Sequence, residues 1–302
     1  MTIVVLALDA LDAGLVDYFD LDALKLESHG GMDTFANAQK GPYTPEVWAT
    51  VATGLSPDEH GVTGEGVSEW DNSLVDFASK FTGHLPTELR MKLGSIASKA
   101  TGAEYSVAET SASSIFDGEG RVVHNWPGVA NGEELASVWE VMFEKPEQSE
   151  AEFEREVYGI GAGQLAWAEE MLRHDVSLVG VHVHTPDAVG HAYAEDEEKF
   201  RECYEWTAGW VDRICDALGP DDDLVLLSDH GIVTSFYSGE EDRNQSPGAH
   251  SWRAYAASTF DSVPSDVFDV KGWLEPKIGD HASSSEAIDM PEEQLRQLGY
   301  IE

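Results

Sequence analysis

Residues 176–191 read VSLVGVHVHTPDAVGH. Val176–Val183 is an apolar run rich in β-branched residues, which predicts a buried strand. Thr185-Pro186 ends it, because proline lacks the N–H that a strand ladder needs and suits a first helical turn. Asp187 and His191 follow four positions apart, on one face of a helical turn. Working outward, the same strand ending recurs twice. Ile3–Leu8 (IVVLAL) runs into Asp9, and Leu224–Ser228 runs into Asp229 and His230. Helical periodicity covers 134–143, 150–173 and 196–218, the last carrying Phe200, Cys203, Tyr204, Trp210, Val211 and Ile214 as its apolar stripe. Arg121–His124 predicts a short strand before the turn NWPG, and Arg253–Ser258 a fifth strand. The last stretch, MPEEQLRQLGYIE, reads as a capped helix. Strands separated by helices predict an α/β fold of three layers, a mostly parallel sheet with helices on both faces. The 302 residues fit a single domain over 1–302, in which the Ser- and Gly-rich segment 66–120 reads as an insertion or cap over the site.

Composition narrows the function. Hydrophobic residues make up 42%, enough for a real core. Asp and Glu number 57 against 18 Lys and Arg, a formal net charge of −39. That balance excludes binding of nucleic-acid polymers through a basic face and disfavours anionic membranes. It also predicts a salt-rich setting, since the repulsion is screened within about 3 Å at molar salt. Cys203 and Cys215 form neither CxxC nor a zinc spacing and read as spectator thiols. No apolar run reaches the roughly 18 residues of a membrane helix, and Ile3–Leu8 is too short for a signal segment. The reading is a cytoplasmic protein of a high-salt organism.

In open parallel sheets, ligands bind beyond the carboxyl ends of the strands. Asp9, Asp187 and Asp229 gathered there would repel one another unless cations bind them. One such aspartate alone reads as a helix cap; three with histidine partners read as a metal site. The partners are His191, His230 and, further on in PGAHSW, His250. Carboxylate oxygen plus imidazole nitrogen suits zinc, manganese or iron. His182 and His184 alternate on one strand face beside Asp187 and read as packing or as supports of the ligands. His29, His84, His174 and His281 read as ordinary core or surface residues. Residues 41–62, GPYTPEVWATVATGLSPDEHGV, predict a helix over 45–53 with Thr44 as N-cap, Pro45 in the first position and Gly54 past the end. The same geometry has a chemical reading. A hydroxyl at a helix N-terminus sits where N–H groups and the dipole favour a phosphate, and a nearby cation lowers its pKa. Asn125 reads as a turn residue, with its amide as a candidate donor to a phosphate oxygen. GIGAG (159–163) follows no strand and does not read as a dinucleotide motif.

The ordered set Asp9, Thr44 with TGLSPDEHGV (53–62), PDAVGH (186–191), SDHG (228–231) and GAHSW (248–252) resembles the alkaline phosphatase superfamily, and within it the type I phosphodiesterase/nucleotide pyrophosphatase branch. The resemblance spans roughly 3–258. It implies an alkaline-phosphatase-like α/β/α fold and two divalent ions about 4 Å apart, usually zinc, with manganese as the alternative. Asp187, His191 and His250 would hold one ion; Asp9, Asp229, His230 and the Thr44 hydroxyl the other. The implied activity is hydrolysis of phosphodiester or pyrophosphate bonds in a small phosphate-ester substrate through a phospho-threonine. Two departures stand out: Ala10 follows the first aspartate where the family often has glycine, and Pro45 follows Thr44 directly. Residues 44–48, Thr-Pro-Glu-Val-Trp, lack the sulfatase motif, and no arginine stands close behind Thr44 as in the main monoesterase branch. A phosphomonoesterase, a phosphomutase, or a metal-binding relative without catalysis are the alternatives. Oligomeric state is not legible in the sequence.

Overall fold

The computed structural model describes residues 1–37, 39–64, 107–144, 148–279 and 296. Its strands are β1 (Ile3–Leu8), β2 (Ser28–Met32), β3 (Arg121–His124), β4 (Leu178–Val183), β5 (Asp223–Leu227), β6 (Gly231–Ile232), β7 (His250–Ser251) and β8 (Ala254–Ser258). Its α-helices are α1 (Ala13–Phe19), α2 (Thr44–Thr53), α3 (Pro57–His60), α4 (Glu133–Glu144), α5 (Glu150–Met171), α6 (Thr185–Tyr193), α7 (Glu197–Ala217) and α8 (Val270–Leu274). Six strands form one sheet in the order β2-β8-β5-β1-β4-β3. Only β8 runs against the rest: it is antiparallel to β5 and to β2, while β5, β1, β4 and β3 are parallel neighbours. The sheet is thus mostly parallel, as the alternation of elements predicts.

β1 is buried on both faces, which explains its unbroken apolar run. Val4, Leu6 and Leu8 pack with Leu15, Leu165, Phe200, Tyr204 and Val211 from α1, α5 and α7. Ile3, Val5 and Ala7 pack on the other side with Val47, Trp48, Val51, Val270 and Leu274 from α2 and α8. Two core layers around one sheet make the three-layer α/β/α sandwich. Gly180 in β4 leaves room for Phe116, whose ring lies 2.2 Å from where a Cβ would stand.

Several sequence expectations shift. β2, with the sequence SHGGM, was not foreseen; it has no β-branched residue and becomes a strand by pairing with β8. The N-cap of α2 is Tyr43 rather than Thr44, and Thr44 is itself helical, with Pro45 in the first turn and Gly54 closing the helix at φ 70. Of the segment 66–120 read as an insertion, 66–106 lies outside the described residues; in 107–120, Ile115 and Phe116 are buried in the core. The C-terminal helix also lies outside them, save for Arg296.

Candidate metal centre

β5, β1 and β4 lie side by side and end level, with Ala7 opposite Leu227 and Leu8 opposite Val183. Asp9 therefore emerges between the chain that enters α6 and the chain that carries Asp229 and His230. Just after it, Ala10 is in the left-handed region at φ 59. That conformation favours glycine, which gives the family's preference for glycine there a physical cause. The turn directs Ala10 N–H to Asp229 Oδ1 at 3.3 Å.

Two ligand groups assemble here. Asp187 and His191 come from one face of α6, and β7 brings His250 to them. Asp187 Oδ1 lies 3.3 Å from His191 Nε2 and 3.5 Å from His250 Nε2. The two Nε2 atoms are 3.1 Å apart. The second group is Asp9, Asp229, His230 and Thr44. His230 Nε2 lies 3.3 Å from both Asp9 Oδ1 and Asp229 Oδ2, and 3.2 Å from Thr44 Oγ1. Thr44 Oγ1 is also 3.5 Å from Asp9 Oδ1. The rings of His230 and His250 stack at 3.7 Å and join the groups. In each group the aspartate and histidine donor atoms fall within 4.8 Å of one another.

The donor set fits cations. His250 Nδ1–H donates to Pro42 O at 2.8 Å, and His230 Nδ1–H to Gly231 O at 3.1 Å. A carbonyl only accepts, so each Nε2 keeps its lone pair and turns it into the cluster. Asp187 Oδ1 and Asp229 Oδ2 are buried acceptors without a hydrogen-bond donor. Such atoms are costly unless a cation satisfies them. Burial, with the charge of Asp9 beside it, holds the Asp229 carboxyl well above the usual range. Burial, with His250 beside it, pushes His230 down to about 3, so it is a neutral donor. For Asp9, burial acts upward, but His184 and His182 outweigh it and keep the carboxylate ionised. Asp9, Asp229 and His230 are fully buried, whereas His191 and His250 are 34% and 23% exposed. Solvent therefore reaches the cluster from the His191 side, where a cleft of about 360 Å³ opens beside Tyr193, Asp196 and Pro247.

Every aspartate and histidine expected to bind metal from the sequence lies in one of these two groups, with Thr44 at the second. Asn125 does not join them. Its amide donates to His182 O at 3.3 Å and accepts Leu135 N–H at 3.0 Å, and its φ of 55 marks it as the holder of a turn. A third set of donors, Asp9, His182 and His184, surrounds the other face of Asp9. Sequence reasoning missed a lock behind the site. Asp12 caps α1, accepts both Arg253 Nε–H at 2.8 Å and Ser251 Oγ–H at 2.9 Å, and so anchors the strand that presents His250. Arg253 also pairs with Asp242 and donates to Ile232 O at 3.2 Å. Asp12 follows Asp9 by only three positions, and that spacing before a helix was the available signal.

A level row of strand ends, two carboxylate–imidazole groups that could each hold a cation and a hydroxyl at a helix start make up the candidate site of this α/β fold. Comparison with known proteins agrees. The sequence matches the type I phosphodiesterase/nucleotide pyrophosphatase family over residues 4–246. The chain belongs to that family, and with it to the phosphoryl hydrolases of the alkaline phosphatase superfamily. No curated protein matches it. Among solved structures it is similar to a mutant alkaline phosphatase of TAB5 with Mg bound in the M3 site, at 10% identity and TM-score 0.47, covering 92% of this chain and 98% of that one. The alkaline phosphatase of the Antarctic bacterium TAB5 matches at 10% identity and TM-score 0.43, over 90% and 96%. The PH0037 protein of Pyrococcus horikoshii matches at 12% identity and TM-score 0.40, over 93% and 99%.

Proposed function

We propose that this chain hydrolyses phosphodiester or pyrophosphate bonds in small substrates, with Thr44 as nucleophile. The observation that carries the reading is the Thr44 hydroxyl, 3.2 Å from His230 Nε2 and free of any helix-capping duty. Asp187, His191 and His250 would hold one divalent ion; Asp9, Asp229, His230 and Thr44 the other, with zinc favoured by the mixed oxygen and nitrogen donors and manganese as the alternative. Bound there, the ions lower the pKa of the hydroxyl and neutralise charge that develops on the phosphoryl oxygens.

The chain supplies position and the attacking atom. Thr44 Oγ forms a bond to phosphorus as the ester bond to the leaving oxygen breaks. The leaving alcohol or nucleotide phosphate takes up a proton. Water then attacks the phospho-threonine, the Thr44 Oγ–phosphorus bond breaks, and the hydroxyl is restored. α2 holds Thr44 rigidly, because Trp48 one turn on is fully buried beside Trp126. A diester carries one negative charge and a monoester close to two at neutral pH. Arg253, near His250 in sequence, is committed to Asp12 and Asp242 rather than to a second phosphate charge. The expected preference is therefore for diesters. The test compares kcat/KM for aryl phosphodiesters, the matching monoesters and dinucleotide pyrophosphates at high salt with zinc or manganese. A monoester preference of tenfold or more overturns it.

A further inference from the structure

Two of the three carboxylates at the centre, Asp9 and Asp187, use their oxygens unequally. Asp9 Oδ1 faces Thr44 and His230, while Asp9 Oδ2 lies 2.5 Å from His184 Nδ1 and 3.0 Å from His182 Nε2. Asp187 Oδ1 faces His191 and His250, while Asp187 Oδ2 lies 3.1 Å from His184 Nε2. One imidazole thus stands between the rear oxygens of aspartates that belong to different ligand groups. His184 is buried, and its backbone is fixed at the junction of β4 and α6, where it is the N-cap residue. Trp139 packs edge-on against its ring and His182 lies tilted beside it. No part of the reaction outlined above uses His184.

We propose that His184 is a positioning residue that clamps the rear oxygens of Asp9 and Asp187, so that each carboxylate offers one oxygen to its own cation subsite and the two subsites keep a fixed spacing. The inference rests on the reading that these groups bind a pair of cations. Freed from His184, a carboxylate could rotate and turn both oxygens towards one subsite, which would change the relation between the two. Outer contacts of this kind typically change metal affinity by about 10–100-fold.

The experiment loads the metal-free protein with Mn²⁺ and measures affinity by chelator competition and the spin coupling of the Mn²⁺ pair by electron paramagnetic resonance. Wild type should bind a coupled pair. His184→Ala should bind Mn²⁺ about 10–100-fold more weakly in both subsites with altered coupling, and added imidazole should restore part of both. Circular dichroism of the metal-free variant establishes that it folds. Should it not, His184→Gln, which has no ring to stand between the two aspartates, should show weakened affinity and altered coupling. A folded alanine or glutamine variant with unchanged affinity and coupling overturns the clamp and leaves the proposed function standing. A third Mn²⁺ in wild type, lost with His184, also overturns it, because His184 would then be a ligand. A wild type that binds no Mn²⁺ pair removes the proposed function itself and the clamp with it.

Discussion

Replacing Thr44 by alanine separates a structural role from a chemical one, because the structure sets the two costs far apart. The residue is not the N-cap of α2; Tyr43 is, and without a side-chain capping bond. The capping cost of about 1 kcal/mol therefore does not apply. What the folded state loses is one hydrogen bond near His230 and a buried methyl, each worth about 1 kcal/mol. The better helix propensity of alanine returns part of that. A net loss of about 1 kcal/mol lowers the melting midpoint by roughly 2–4 °C for a chain of this order of size. If the hydroxyl merely helped orient His230, about 1 kcal/mol in the barrier would slow the reaction by less than about tenfold. Loss of an attacking oxygen is another matter, costing about 10⁴-fold or more in kcat. The assay is kcat on an aryl phosphodiester, with metal content measured on the same samples. Thr44→Ser keeps the oxygen and should stay within about tenfold of wild type, whereas acid quenching during turnover should trap phosphate on Thr44. An alanine variant that keeps more than a tenth of wild-type kcat refutes the covalent reading.

Other outcomes follow from the same geometry. Chelation should abolish activity, and zinc or manganese should restore it. In the metal-free protein, Asp229 is raised by burial and Asp9; for His191 burial acts downward but Asp187 outweighs it and the net shift is upward. Both must shed a proton to bind a cation, so apparent affinity should rise with pH until both are deprotonated; a flat profile between about pH 5 and 8 would contradict this. His230, pushed to about 3, should add nothing to that slope. Asp12→Asn keeps a capping side chain but removes the charge opposite Arg253, so urea unfolding should show a loss of about 3 kcal/mol; less than about 1 would mean Asp242 alone holds Arg253. Molar potassium chloride should raise the unfolding midpoint by screening the net charge of −39, and full stability in dilute buffer would remove the high-salt expectation.

The centre of the fold was legible because burial leaves a mark on sequence. β1, β4 and β5 are buried along nearly their whole length, and a ligand aspartate follows each: Asp9 directly after β1, Asp229 after Ser228 beyond β5, and Asp187 in the first turn of α6 beyond β4. Asp187 and His191 were legible as a pair because helical spacing alone puts them on one face. β2 was not, since glycine and serine carry no strand preference and only pairing with β8 makes it one. The cap of α2 was misplaced by one residue because Pro45 is acceptable at either of the first helical positions, and that single step turns Thr44 from a capping group into one whose hydroxyl faces His230 and Asp9 instead of the helix backbone.

What stayed hidden depends on contacts between distant parts of the chain. Asp12 meets Ser251 and Arg253 across more than two hundred positions, and no local period reports such a meeting. The histidines show the limit most clearly. His182 and His184 carry the same side chain as the ligating histidines, and the sequence reads both as packing or as supports of the ligands; the structure keeps only His182 on β4 and makes His184 the N-cap of α6. Only the positions of Asp9 Oδ2 and Asp187 Oδ2 distinguish them. His182 meets one carboxylate, whereas His184 stands between two. A residue that touches one ligand can tune that ligand, but a residue that touches one ligand of each group can set their relation. That is why the effect expected at His184 is on both subsites together, and why a change confined to one of them would count against the clamp.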